Sequence, residues 1–284
     1  MDDSKIFIVG AKGQLGLALR NKYPKALWAD IDELDITDDE SVNNFDWNGV
    51  EIILNAAAYT NVDGAETDEG RPIAWKVNAT AVSSLCKIAE KNNITIVHIS
   101  SDYVFDGTKI PHVEDEAFSP LSVYGASKAA GDLCILQTPK HYLLRTSWVI
   151  GEGKNFVRTM LDLASRGINP SVVSDQIGRL TFTSTLVPAI DHLLSSKAEF
   201  GTYNISNEGE STSWADITRK IYEISGLKNT VSDITTVDYN QDKENIAPRP
   251  LQSALDLTKI KTTGFVPNNW VHDLESYIKK ESTT

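Results

Sequence analysis

The sequence predicts an α/β fold, a Rossmann-type doubly wound parallel sheet with a smaller α/β substrate lobe at its carboxyl edge. Three observations predict it. Short apolar runs alternate with helical apolar periodicity through residue 148, a glycine-rich turn sits at the first strand–helix junction, and the second half of the chain is less regular. The chain has 284 residues, enough for a large core. The expected division is 1–150 for a dinucleotide-binding domain and 151–284 for a lobe interlocked with it.

Lys5-Ile-Phe-Ile-Val-Gly10 reads as a buried parallel strand ending in glycine. Gly10-Ala-Lys-Gly13-Gln14-Leu15-Gly16 follows, with helical periodicity from Leu15 to Tyr23. Bare backbone at a helix N-terminus lets a phosphate approach N–H groups, so this turn is a candidate nucleotide site. Its spacing is G-x-x-G-x-x-G, one residue longer in the first step than the common dinucleotide fingerprint. Ala26–Asp30 is the second strand, and Asp30 stands where an acid can accept hydrogen bonds from an adenosine ribose. Glu51–Asn55 is the third strand, and the small residues Ala56, Ala57 and Ala58 after it leave room for a ligand to cross.

A helix is expected from about Ile73 to Lys91, a fourth strand over Ile94–Ser100 and a fifth over His141–Ser147. Beyond these, helical patterns lie near 155–166, 183–196 and 212–226, with short strands near 171–174, 202–206 and 233–238. The polar stretch from Gln241 to Pro250 reads as a loop. Trp214 and Trp270 sit in helical patterns and read as packing residues, and Arg145 as a structural ion-pair residue.

Acidic residues number 39 against 27 basic ones, for a net charge of −12. Such a surface repels nucleic acid and anionic membranes, and an anionic ligand must be met by local cations or helix N-termini. No apolar run approaches the length of a bilayer span, and the acidic start Met1-Asp-Asp-Ser-Lys5 is no secretory signal. Cys86 and Cys134 make neither a disulfide framework nor a metal-ligand spacing, which points to a reducing, cytoplasmic setting.

Tyr124 and Lys128 in Val-Tyr124-Gly-Ala-Ser-Lys128 lie four apart, on one face of a helix. A phenol is a poor acid at neutral pH, and a neighbouring ammonium stabilises its phenolate. Ser101, at the end of the fourth strand, adds a hydroxyl that can orient a carbonyl. Turn, hydroxyl and Y-x-x-x-K together suit carbonyl reduction by a nicotinamide.

That order resembles the short-chain dehydrogenase/reductase superfamily, in its extended branch. Further blocks resemble the dTDP-4-dehydrorhamnose reductase family: Asn55-Ala-Ala-Ala-Tyr-Thr-Asn-Val-Asp63 with Ala65-Glu66, Val77-Asn-Ala-Thr80, Ser100-Ser-Asp-Tyr-Val-Phe-Asp-Gly107, Arg145-Thr-Ser-Trp-Val149, Asn155-Phe-Val-Arg-Thr-Met-Leu161, Asp175-Gln-x-Gly178 and Arg249-Pro-x-x-Ser253.

The resemblance implies reduction of the C4 keto group of dTDP-4-dehydro-6-deoxy-L-mannose to dTDP-L-rhamnose with NADPH or NADH. It implies Ser101, Asp102, Tyr124 and Lys128 at the catalytic centre, and Thr60, Val62 and Trp148 facing the sugar. Gly10, Gly13, Gln14, Leu15, Gly16, Asp30 and Ala56 to Ala58 would line the cofactor. Arg179 and Arg249 fall in substrate-side blocks and are candidates for the diphosphate, because a guanidinium fork matches phosphate oxygens.

Two departures stand out: serine at 101 where the family has threonine, and Leu180 where it has proline. Some relatives carry an interface magnesium, whose ligands cannot be assigned in this sequence. The partner implied is the nucleotide sugar, for a monomer or homodimer. Alternatives are another nucleotide 4-ketosugar reductase or epimerase of the branch, and a non-catalytic regulatory subunit of the same fold.

Overall fold

A computed structural model describes residues 1–281. Strands β1 (Ile6–Val9), β2 (Leu27–Ala29), β3 (Ile52–Asn55), β4 (Thr95–Ser101) and β5 (His141–Thr146) form a parallel sheet in the order β2-β1-β3-β4-β5. Helices α1 (Gln14–Lys22), α2 (Asp39–Asn44), α3 (Gly70–Trp75), α4 (Ala81–Lys91) and α5 (Val123–Leu136) connect them. The order reverses between β1 and β3, which opens a crevice above their carboxyl ends.

The inner strands β1 and β3 are apolar without alternation because both faces are covered, whereas Leu27 and Trp28 of the edge strand β2 are exposed. Ile6, Ile8, Leu54 and Val97 face Leu15 and Leu19 of α1. Phe7, Val9, Ile53 and Ile96 face Val42 of α2 and Val82, Leu85 and Ile88 of α4.

The second half contains β6 (Val149–Ile150), α6 (Phe156–Ser165), β7 (Ser171–Val173), β8 (Ile177–Gly178), β9 (Thr181–Phe182) and α7 (Thr183–Ser196). Then come β10 (Gly201–Asn204), β11 (Thr212–Ser213), α8 (Trp214–Ile224), β12 (Ser232–Ile234), α9 (Thr236–Asn240), α10 (Thr258–Thr262) and α11 (Trp270–Glu281). The pairs β6–β9, β8–β11 and β7–β12 build the lobe around Met160, Leu180, Phe182, Ile217, Trp270 and Leu274. Leu180 is wholly buried there, so apolar burial pins the segment where the family has proline. Among the described residues, no helix is long and apolar enough to cross a membrane.

Three expectations change. The strand expected near 202–206 is β10, which pairs with β5 as the sixth strand of the main sheet, while α7 packs beside α1. The chain therefore returns to the first layer after residue 150, and the lobes interlock. The helix expected over 73–91 runs from Gly70 to Lys91, broken by a π turn at Lys76–Thr80. The strand expected over 233–238 stops at Ile234, because Thr235 caps α9 by accepting from Asp238 N–H.

Gly16 shows how tightly the first turn is built. A Cβ there would lie 2.1 Å from the Gly10 carbonyl oxygen, whereas one at Gly13 would meet that oxygen only at 3.4 Å. Gly16→Ala should therefore cost about 1–3 kcal/mol in urea unfolding, and Gly13→Ala less than about 0.5 kcal/mol. Equal melting curves for the two variants would contradict the packing described.

Candidate functional site

Gly10 adopts φ +75°, and a Cβ on it would sit 2.5 Å from Ala57 N, so the turn presses against the end of β3. Gly13 begins α1 with no side-chain cap, leaving first-turn N–H groups open to a ligand. The Asp30 carboxylate accepts from Lys12 N–H at 2.8 Å and Ile31 N–H at 2.9 Å, tying the turn to the end of β2.

Two cavities meet over this turn and share Gly13, Ala56 and Ala58. One, about 530 Å³, also has Gly10, Lys12, Asp30 and Ala57 in its wall. The other, about 510 Å³, takes Gln14 and Leu15 from α1 and Thr60 and Val62 from the segment after β3. Ser101, Asp102, Tyr124, Lys128 and Trp148 complete its wall. Gly16 lies beneath, supporting the turn. Open helix N–H groups, small residues and two joined cavities fit a dinucleotide lying across the sheet edge.

Tyr124 is placed by the start of α5. Ser122 caps the helix by accepting from Gly125 N–H at 3.1 Å, and Glu66 Oε1 accepts from Val123 N–H at 2.8 Å. A Cβ on Gly125 would lie 2.2 Å from the Tyr103 carbonyl oxygen, so only glycine lets α5 approach the turn after β4. Tyr124 then meets Tyr103 edge-on at 5.6 Å. Burial pushes the Tyr124 phenol up to about 12, with a hydrogen bond from the Ser101 side chain acting the other way. The phenol thus keeps its proton at neutral pH, and its hydroxyl partner is Ser101. Burial also raises the Asp102 carboxyl to about 6, opposed by the Ser253 and Ser101 hydroxyls.

Lys128 departs from the expected pairing with Tyr124. Its Nζ donates to the Ile99 carbonyl at 2.6 Å and lies 3.3 Å from His98 Nε2. Burial lowers its ammonium to about 8. The side chain spans from α5 to the backbone of β4 and is 1% exposed.

On the lobe side, Trp148 adopts φ +49°, a strained conformation for a bulky residue. It is held by stacking on Trp214 at 3.8 Å and by Gly178, where a Cβ would come within 2.9 Å of the Trp148 ring. Gln14 Oε1 accepts from Gly151 N–H at 2.8 Å and joins the lobes at the cavity rim.

The two arginines are occupied elsewhere. Arg179 Nη2 donates to the Leu255 carbonyl, and burial lowers the guanidinium from its ordinary value, so it braces the lobe instead of lining the cavity. Arg249 Nη2 pairs with Asp63 Oδ2 at 2.8 Å, and Ala247 N–H donates to Asp63 Oδ1 at 3.1 Å. Arg145 pairs with Asp132 at 3.1 Å beneath α5, the structural role expected of it.

Sequence reasoning missed three buried polar residues. Asn78, in the π turn, accepts from Tyr59 N–H and donates to Ser127 Oγ, locking α5 to the segment after β3. Asn55 and His98 form a pair beneath Lys128. Polar residues interrupting apolar runs were the available signal.

Comparison with known proteins places this geometry. Residues 4–283 match the family described as RmlD substrate binding domain. A dTDP-4-dehydrorhamnose reductase of Aggregatibacter actinomycetemcomitans is 38% identical, covering 96% of this chain and 98% of that protein. A crystal structure of a dTDP-4-dehydrorhamnose reductase from Clostridium acetobutylicum superposes with TM-score 0.91 at 32% identity, over 98% of this chain and 99% of that one. The reductase of Bacillus anthracis, solved in complex with NADP, gives TM-score 0.88 at 31% identity, over 97% and 98%.

The Arg249–Asp63 pair is partly exposed, with side chains 21% and 41% accessible. Surface screening limits such a pair to about 1 kcal/mol. A double-mutant cycle of Arg249→Ala and Asp63→Ala in urea should give a coupling of up to about 1 kcal/mol. Strictly additive effects would show that the pair does not hold the 247–249 loop.

Proposed function

The chain belongs to the RmlD substrate binding domain family, and on that premise we propose that it reduces the C4 keto group of dTDP-4-dehydro-6-deoxy-L-mannose to dTDP-L-rhamnose with NADPH or NADH, in the cytoplasm. The observation that carries the reading is the convergence of Ser101, Tyr124 and Lys128 on one cavity that shares Gly13 with the glycine-rich turn. A non-catalytic subunit has no use for a hydroxyl, a phenol and an amine converging on one such cavity.

Gly13, Gln14 and Leu15 would hold the cofactor diphosphate at the N-terminus of α1, and Asp30 would border the adenosine. When bound, the nicotinamide supplies a hydride for the keto carbon. Ser101 would orient the carbonyl by turning its one hydroxyl proton from Asp102 to the keto oxygen. Tyr124 gives its phenolic proton to the alkoxide that develops there, and Asp102 lies beside Ser101, with Ser101 Oγ donating to it at 3.1 Å. Lys128 reaches the cavity wall from below and would hold ribose hydroxyls. Thr60, Val62 and Trp148 shape the sugar pocket. Arg249 stands at the loop where a diphosphate would be met and would have to exchange its bond to Asp63 for one to phosphate.

The test is oxidation of NADPH or NADH on adding dTDP-4-dehydrorhamnose, with product identified by mass and chromatography. Tyr124→Phe should lower kcat by roughly 10²-fold or more while cofactor Kd stays near wild type. Turnover close to wild type would remove Tyr124 from the mechanism.

Cofactor choice follows from the charges beside Asp30. Lys12 Nζ pairs with Asp32 at 2.8 Å and Glu33 at 3.1 Å, so the cation available to a 2′-phosphate is already engaged by two carboxylates. NADH should therefore compete well with NADPH. A kcat/KM preference for NADPH above about 100-fold, roughly 2.7 kcal/mol, would contradict this reading.

A further inference from the structure

Beneath the catalytic cavity lies a chain of buried polar groups that the mechanism above does not use. Asn55 is 1% exposed, His98 0% and Lys128 1%, so all three must satisfy one another without water. The chain starts at a donor that cannot change, the N–H of Ala57, which donates to Asn55 Oδ1 at 3.1 Å. That bond fixes the Asn55 amide, and its Nδ2 faces His98 Nδ1 at 3.0 Å. An amide nitrogen is only a donor, so Nδ1 must accept. A neutral imidazole with Nδ1 bare carries its proton on Nε2, and Nε2 faces Lys128 Nζ at 3.3 Å.

We propose that His98 is a positioning residue that sets the proton affinity of Lys128, by presenting an Nε2–H donor to its amino group. A neutral amine suits this arrangement. It gives one N–H to the Ile99 carbonyl at 2.6 Å, turns its lone pair to His98 and keeps an N–H for the cavity. An ammonium suits it badly, since two donors then face each other. Relief requires His98 to move its proton to Nδ1, opposite the Asn55 amide. Turning that amide would leave the Ala57 N–H without its acceptor.

The surroundings push the same way. Burial lowers Lys128, and burial together with the Lys128 charge holds His98 well below its ordinary value. The charged and titratable groups facing the pair and its cavity are Asp132 and Tyr124 from α5 and Asp102 and Tyr103 from the turn after β4, with Arg145 of β5 behind Asp132. Asp132 favours the ammonium, and one of its oxygens, Oδ2, is engaged by Arg145 Nε at 3.1 Å.

The inference rests on the reading of Lys128 as part of the reductase site, and its test needs neither substrate nor turnover. The ligand-free protein is labelled with 15N-histidine and 13C-lysine, and Lys128 is assigned by its loss in Lys128→Met. Above the Lys128 midpoint, His98 should show a protonated Nε2 and a bare Nδ1. Its ring nitrogens should respond through the same midpoint as the Lys128 Cε signal. His98→Gln offers the ammonium an oxygen, so the Lys128 midpoint should rise by about one pH unit, a tenfold change in proton affinity. A protonated Nδ1 above the midpoint overturns the proposal, as does a folded His98→Gln with an unmoved midpoint. If His98→Gln does not fold, the wild-type tautomer and the shared midpoint decide. Absence of reductase turnover in a protein with the expected tautomer and midpoint would count against the reductase reading alone.

Discussion

A lysine side chain buried at the carboxyl edge of the sheet is the constraint on which the site depends. Removing an ammonium from water is costly; the Ile99 carbonyl of β4 offsets part of that cost, and burial lowers the proton affinity of the amino group for the rest. That bond draws α5 onto the strand end, where glycine at 125 makes room for the turn after β4, while glycine at 131 makes room for the π turn at Lys76–Thr80. A Cβ at Gly131 would lie 2.2 Å from the Asn78 carbonyl oxygen. With the helix so placed, the Ser122 cap and the Glu66 carboxylate fix its first turn and set Tyr124 beside Ser101. The π turn at Lys76–Thr80 supplies the other clamp, turning Asn78 toward Ser127 and Tyr59.

The surrounding charge poses a second problem. A chain at −12 must hold an anionic cofactor and an anionic substrate. The fold answers locally with open N–H groups at α1, while the guanidinium on the 247–249 loop is held by Asp63. It also keeps both lobes around the same cleft. β10 and α7 return to the first layer, and Gln14 bonds across to Gly151. The cleft is therefore framed by one interlocked body of secondary structure.

Much of this was legible in the sequence because it is local. The central strands are largely apolar, since helices cover both their faces, and the glycine-rich turn and the Tyr124–Lys128 spacing lie within single short segments. What was not legible depends on distant pairing. Nothing in Gly201–Asn204 says that it joins β5 instead of a lobe strand. A π turn inserts its extra residue without destroying the apolar periodicity of 73–91. The partner of Arg249 lies 186 residues away at Asp63, so its role as a loop tie could be weighed but not seen. His98 reads as an ordinary residue in an apolar strand until Asn55 and Lys128 appear on either side of it.

The central claim is that this cleft delivers hydride to the C4 carbon of a nucleotide keto sugar. The direct measurement is a single turnover with dTDP-4-dehydrorhamnose and NADPH carrying deuterium at the transferable position of the nicotinamide. Deuterium bound at C4 of the dTDP-rhamnose product, located by NMR and mass, is the result expected. An unlabelled product, or a labelled cofactor unchanged in the presence of that sugar, would contradict the account.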